Sequence, residues 1–373
     1  MRVAVPKEIK AGEKRVALVP DVINKLTRLG LDVTIEAGAG THSQATDADF
    51  AAAGATVKQG DVLSDADVVL SVQPLTTHQM ATLKKGAITI SFLSPVTAVD
   101  SIEAAASAGV TAFSLELVPR ISRAQSMDAL TSQALCAGYR AAVVGAELSP
   151  RFFPMLMTAA GTVTPAQVLV LGAGVAGLQA IATSRRLGAV VSAYDVRPAS
   201  ADEVRSMGAT FIELELEALE GAGGYAREMT EDRAAKQREL LTPFIAKSHV
   251  VITTAAVPGR QAPRLMTQQM VDAMAPGTII VDLAAETGGN VEGSKPGEIV
   301  ETAGGVRIWG GKDVPSQLPF HASFLYSRNV VNLLSLFTVP AKDDQKVAFN
   351  LDFDDEIING AAVTHAGSRR GAQ

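Results

Sequence analysis

Short runs of β-branched residues alternate with longer stretches rich in alanine and leucine from the start of the chain. That pattern predicts an α/β fold built on parallel sheets. Residues 3–5 predict a strand, 22–29 a helix stopped by Gly30, and 32–36 a second strand, together a βαβ unit. The series continues with a helix over 47–53, a strand over 68–72, a helix over 77–83, a strand over 87–92, a helix over 100–108 and a strand over 111–115. At 119–128 the texture turns polar, and a long helix rich in small residues follows over 129–148, ended by Pro150 and Pro154.

We place the domain crossing there. Strands over 167–171, 190–195, 210–212, 250–254, 278–281 and 306–309 predict a second doubly wound domain. Helical periodicity returns over 323–338, a β-like patch lies at 348–353, and residues 366–373 are expected to fray. The expected architecture is therefore two Rossmann-like, doubly wound parallel-sheet domains. Residues 1–134 with a returning segment 327–373 form one, and residues 135–326 the other. The connection 213–241, with Gly221-Ala222-Gly223-Gly224-Tyr225 near its middle, is long enough to read as a functional loop, or else as a surface insertion without a role. Its second half, 226–241, has helical composition.

Composition narrows the chemistry. Among 373 residues there are 39 acidic and 33 basic side chains, 5% aromatics and one cysteine, Cys136. A lone cysteine excludes internal disulfides, zinc ribbons and iron-sulfur clusters. The mildly acidic balance supplies no basic stripe for nucleic acid. No apolar stretch at the start reads as a secretion signal, and none is long enough to span a bilayer. The five histidines, His42, His78, His249, His321 and His365, are dispersed and show no metal-ligand spacing.

The strongest local signal is Gly172-Ala173-Gly174-Val175-Ala176-Gly177, set between a predicted strand and a helix over 178–187. In that context the glycines allow a tight turn, a close approach of backbone to a pyrophosphate, and close helix–strand packing. Asp195 lies 18 residues past Gly177, at the end of the next strand, where a carboxylate accepts from adenosine ribose hydroxyls and repels a 2′-phosphate. NAD is therefore favoured over NADP. Arg197, two residues on, could bind a 2′-phosphate, stack on adenine or face solvent. A second constellation gathers Arg120, Ser122, Arg123, Gln125, Asp128, Thr131 and Ser132. It reads equally as donors and acceptors for a nicotinamide carboxamide and as a capped, salt-bridged helix start. Asp282, after the strand 278–281, is either a ligand-edge carboxylate or a buried acceptor.

The chain resembles the NAD(H)-binding, alpha-1 type components of proton-translocating nicotinamide nucleotide transhydrogenases, which are similar to alanine dehydrogenase. The residues that carry the resemblance are Pro6-Lys7-Glu8, Arg15-Val16-Ala17, Arg120-Ile121-Ser122-Arg123-Ala124-Gln125-Ser126-Met127-Asp128, Met157-Thr158-Ala159-Ala160-Gly161-Thr162, the glycine motif, Gly223-Gly224-Tyr225-Ala226 and Thr253-Thr254-Ala255. The resemblance implies an NAD(H) site in an interdomain cleft. Arg120, Ile121, Ser122, Gln125 and Asp128 would position the nicotinamide and pyrophosphate, joined by Thr131, where the family pattern has serine. Val175 with Asp195, Val196 and Arg197 would hold the pyrophosphate and ribose. Gly224 and Tyr225 would ride on a mobile loop, with Gln237 and Ala256 lining the site. Arg120, Gln125, Asp128 and Tyr225 are the residues expected to carry hydride transfer.

It also implies NADP(H) as co-substrate on an NADP-binding partner subunit, a membrane subunit that moves protons, a homodimer, and a cytoplasmic, peripheral place at the inner membrane. Alanine dehydrogenase needs a titratable group beside the nicotinamide. Where that relative has a lysine and a histidine, this chain has Gln73 and Ser94. Transfer between two nicotinamide rings needs no such group, only juxtaposition. An amino-acid dehydrogenase and a catalytically silent NAD-binding regulatory subunit remain the alternatives.

Overall fold

The computed structural model describes residues 1–216, 230–256, 259–340 and 347–370. The first leg of the chain runs β1 (Arg2–Val5), α1 (Pro20–Arg28), β2 (Asp32–Glu36), α2 (Asp47–Ala52), β3 (Thr56–Lys58), β4 (Val68–Leu70), α3 (Thr77–Ala81), β5 (Ile88–Ser91), α4 (Val99–Ser107) and β6 (Thr111–Ser114). Helix α5 (Ala129–Leu148) leads into a hairpin, β7 (Leu156–Thr158) and β8 (Gly161–Val163), and then into β9 (Gln167–Leu171), α6 (Val175–Arg186), β10 (Val190–Tyr194), α7 (Ser200–Ser206) and β11 (Thr210–Phe211). After α8 (Glu231–Lys247) come β12 (Val250–Thr253), α9 (Gln268–Asp272), β13 (Ile279–Asp282), β14 (Ile299–Glu301) and β15 (Arg307–Gly310). The last leg is α10 (Pro319–Phe337), β16 (Thr338–Val339), β17 (Ala348–Phe349), α11 (Glu356–Ala361), β18 (Ala362–His365) and β19 (Ser368–Arg369).

Two compact units result, Met1–Gln133 with Pro315–Gln373, and Ala134–Val314. The first sheet has the order β19-β18-β6-β5-β4-β1-β2-β3, parallel except for the antiparallel β18 and β19. Its strands are apolar on both faces: Val3 and Val5 enter one core cluster, while Ala4 enters another. Such two-sided burial is what helices on both sides of a parallel sheet require. The second sheet has the order β11-β10-β9-β12-β13-β15-β14, with only β14 antiparallel. Val168 and Val170 face one core there and Leu169 and Leu171 the other.

The chain returns to the first unit at Pro315, ahead of α10 rather than within it. Tyr326, Val330, Val331, Leu333, Leu334 and Phe337 all pack into that unit's core, so the helix cannot be divided. The expected fraying beyond 366 is also corrected. Ser368 pairs with His365, Arg370 donates to Asn359, and the Arg370 guanidinium lies 3.9 Å over the Phe353 ring. The β-like patch at 348–353 contracts to the two residues that pair with Thr338 and Val339. The hairpin β7–β8 was not anticipated, because three-residue strands carry little periodicity.

Candidate functional site

In the second unit the chain leaves β9 through a turn in which each glycine answers a different constraint. Gly172 sits at φ +102, and a Cβ there would lie 2.6 Å from Thr254 Oγ1. That hydroxyl donates to the Gly172 carbonyl at 3.0 Å, stitching the turn to the end of β12. A Cβ on Gly177 would come within 1.9 Å of the Gly172 carbonyl oxygen, so α6 packs against the turn only because the residue is glycine. Gly174 starts α6 at φ −76, ψ −170, and a Cβ there would meet nothing within 4 Å. Open space therefore lies in front of a twelve-residue helix whose first N–H groups have no intrahelical partners. The helix begins at Val175, three residues earlier than its periodicity suggested, because the motif's own residues form its first turn.

Asp195 follows β10, with its side chain 7% exposed. Its Oδ2 accepts the Ala173 N–H at 2.7 Å, and its Oδ1 accepts the Arg197 N–H and Nε, each at 2.9 Å. Arg197 Nη2 adds a bond to Oδ2 at 3.0 Å. The carboxylate thus ties the glycine turn to the next strand, and this hydrogen bonding raises the Arg197 pKa above its ordinary value. Val196 is half-buried. Gln237 is fully buried in α8 and accepts from the Tyr194 hydroxyl at 3.1 Å. Burial pushes that phenol up to about 12, so it remains a donor. Ala256 is exposed just beyond β12. Gly224 and Tyr225 lie outside the described residues. Helix α5 explains its small residues here: a Cβ on Gly138 would meet the Ala176 carbonyl oxygen at 2.1 Å, so only glycine lets α5 lie on the first turn of α6.

In the first unit, residues Ser122–Met127 form a 3-10 turn anchored by buried Ala124 and Met127. The Ser126 carbonyl accepts from Asn329 and Asn332 of α10 at 3.0 Å. Four polar side chains of the constellation are engaged within the unit. Arg123 forms a two-pronged pair with Asp355, and Asp128 accepts the Thr131 N–H at 2.8 Å and its hydroxyl at 2.7 Å. Ser132 donates to Asn329 at 2.7 Å. Asp128 thereby caps the first turn of α5. Arg120, Ser122 and Gln125 are exposed, and Ile121 is partly so.

A second feature of this unit escaped sequence reasoning. Where the strand order reverses between β1 and β4, a cleft of about 350 Å³ is lined by Lys7, Glu8, Gln73 and Gln79 among others. Ligands favour such switch points. Glu8 accepts the N–H groups of Val72 and Gln73, and burial pushes its pKa up to about 7. Behind it, Glu13 and Arg15 form a buried pair at 2.6 Å, with Gln73 donating to Glu13 and Arg15 to Gln133. Burial opposes ionisation of Glu13, but hydrogen bonds and charge from Arg15 outweigh it and hold the group down at about 2. Gln73 is thus occupied with Glu13, and Ser94, at φ +47, has its N–H on Glu116. The signal for this network was the spacing Glu8, Glu13, Arg15 directly after the first strand.

His249 accepts the Gln167 N–H, and His365 shares a hydrogen bond with Thr111. Asp282 is fully buried and accepts from Thr253, Ala284, Asn290 and Val291, the buried-acceptor alternative. Among the described residues no cluster could hold a metal ion, and no helix is long and apolar enough to cross a membrane.

Comparison with known proteins bears on both units. Residues 4–137 match the alanine dehydrogenase/PNT N-terminal domain and residues 141–370 the alanine dehydrogenase/PNT C-terminal domain. The first portion of the two-chain NAD(P) transhydrogenase subunit alpha of Rhodospirillum rubrum is 47% identical, over 99% of this chain and 97% of that protein. A crystal structure of transhydrogenase from Sinorhizobium meliloti superposes with a TM-score of 0.86 at 42% identity, covering 100% of this chain and 99% of that one. The alanine dehydrogenase of Mycobacterium tuberculosis is 35% identical over 79% of this chain and 76% of its own.

Proposed function

From the premise that the chain belongs to the alanine dehydrogenase/PNT family, we propose that it is the NAD(H)-binding component of a transhydrogenase, passing hydride between NADH and NADP+ held on a partner subunit. The observation that carries this reading is the glycine turn with Asp195 bonded to Ala173. It offers open space over Gly174, helix N–H groups for a pyrophosphate and a carboxylate for ribose hydroxyls. The residues present therefore fit a dinucleotide.

When bound, NADH supplies the hydride. The chain's own work is binding and orientation. Gly172, Gly174, Val175 and Gly177 seat the pyrophosphate. Asp195, Val196 and Arg197 hold the adenosine ribose, with Arg197 yielding part of its hold on the carboxylate to the ribose hydroxyls. Arg120, Ile121, Ser122 and Gln125 fix the nicotinamide carboxamide, on a loop whose shape Asp128 and Thr131 set by capping α5. Tyr225 and Gly224 close over the nucleotide, and Gln237 and Ala256 line its seat. No side chain has to move a proton at a reacting carbon, and positioning accounts for the rate. Proton movement belongs to the membrane subunit, to which this chain attaches peripherally at the cytoplasmic face as a homodimer.

One observation favours a second reading. Glu8, titrating near neutrality in the switch-point cleft, is the kind of group an alanine dehydrogenase-like enzyme would use. Calorimetric titration with NADH and NADPH tests the dinucleotide assignment. We expect at least a tenfold preference for NADH, and equal affinities would contradict the role given to Asp195.

A further inference from the structure

We propose that Asn290 is a positioning residue for the nicotinamide half of the dinucleotide, an inference that rests on the NAD(H) reading. Strand order places β10, with Asp195 at its end, on one side of β9 and β12 on the other. A dinucleotide with its adenosine ribose on Asp195 and its pyrophosphate on the glycine turn extends its second half over the chain leaving β12. That chain is Thr254-Ala255-Ala256.

It is pinned from two sides. Toward β9, the Thr254 N–H donates to the Leu171 carbonyl at 2.9 Å and its hydroxyl to the Gly172 carbonyl at 3.0 Å. On the far side, Asn290 is completely buried, and its Nδ2 donates to the carbonyls of Ala255 and Pro263, each at 2.8 Å. One amide thus draws both ends of the 255–263 segment toward the sheet edge. The residue is itself rigidly seated. Its N–H donates to Asp282 Oδ1 at 3.3 Å, and its carbonyl accepts the N–H groups of Leu265 and Met266 at 2.8 and 3.0 Å. Asp282 is held in turn by the Thr253 hydroxyl at 3.0 Å, at the end of β12.

Among the described residues the Asn290 Oδ1 accepts no hydrogen bond, so what this side chain contributes is donation to two carbonyls. Buried carbonyls turned toward an amide leave the exposed backbone at Ala256 at a fixed depth beside the glycine turn. Without that amide, Ala255 and Pro263 lose their common donor and the segment relaxes outward. The pyrophosphate seat, built from Gly172 to Gly177 and Asp195, stays as it is.

The test is calorimetric titration of the full chain and of Asn290→Ala with two probes, NADH and ADP, the latter lacking the nicotinamide half. Asn290→Ser, which keeps one donor, is measured beside it and stands in if Asn290→Ala does not fold. We expect NADH affinity to fall at least tenfold in Asn290→Ala and less in Asn290→Ser, with ADP affinity within twofold of the unsubstituted chain in both. Equal losses for both probes, which is what a merely structural role predicts, would overturn the inference, as would unchanged NADH affinity. Failure of the NAD(H) reading itself would appear separately, as no NADH binding by the unsubstituted chain.

Discussion

Alanine at Gly174 separates the nucleotide contact from the fold. The residue has φ −76 and ψ −170, which any L-residue adopts, and a Cβ there meets nothing within 4 Å. Glycine caps helices slightly better than alanine, while alanine lowers the entropy of the unfolded chain by a similar amount, so stability should change by less than about 1 kcal/mol. A phosphate oxygen bonded to the N–H groups of α6, however, must share its space with the new methyl. Charge-assisted hydrogen bonds of this kind contribute roughly 1.5–3 kcal/mol each, so losing one lowers NADH affinity by about ten- to a hundredfold. Gly177→Ala is the counterpart. Its Cβ would stand 1.9 Å from backbone that cannot yield, and we expect it to destabilise the second unit by about 1–3 kcal/mol or more. Urea unfolding followed by NADH titration measures both quantities for both variants. Unchanged NADH affinity in Gly174→Ala, or equal destabilisation by the two substitutions, would refute the assignment of Gly174 to the pyrophosphate.

Three further outcomes follow from the geometry. Folded, Glu8 keeps its proton up to about pH 7, against 4.5 in the unfolded chain, so the native state binds more proton between those values and stability falls as pH rises through that window. The fall is worth up to about 3 kcal/mol, and Glu13, whose window lies below pH 4.5, does not offset it. Glu8→Gln should flatten urea-unfolding stability between pH 5 and 7.5, and an unaltered slope would assign the pH dependence elsewhere. Asp195→Ala releases Arg197 from its pairing and should shift the NADH-to-NADPH affinity ratio at least tenfold toward NADPH, with no shift counting against the ribose contact. Gln125, exposed on its 3-10 turn, should matter for orientation: Gln125→Ala should slow single-turnover hydride transfer far more than it weakens NADH binding, and equal losses would remove that role.

Much of this was legible because local patterns and burial agree. Strands apolar on both faces, such as 167–171, were read correctly to the residue, and the glycine spacing announced three different constraints that the structure meets one by one. The 119–128 segment was harder. Composition could not divide its polar groups, and the division depends on Asp355 and Asn329, more than 190 residues away in sequence. The strands Ala362–His365 and Ser368–Arg369 were invisible for a related reason: their pairing with Thr111–Ser114 is supplied by the first sheet's edge, not by their own pattern. Glu8 and Glu13 looked like ordinary surface charges after a strand, and only burial against Arg15 and the β4 end gives them opposite pKa shifts. Asn290 carried no sequence signal at all, since its partners are backbone carbonyls.

The central claim is tested most directly by following NADH oxidation by the purified chain in two parallel reactions, one with a partner subunit loaded with NADP+ and one with pyruvate and ammonium. Turnover only with the partner is the predicted result. Turnover with pyruvate and ammonium would contradict it and give Glu8 the role of a catalytic acid-base group, and silence in both would leave an NAD-binding regulatory subunit in place of an enzyme.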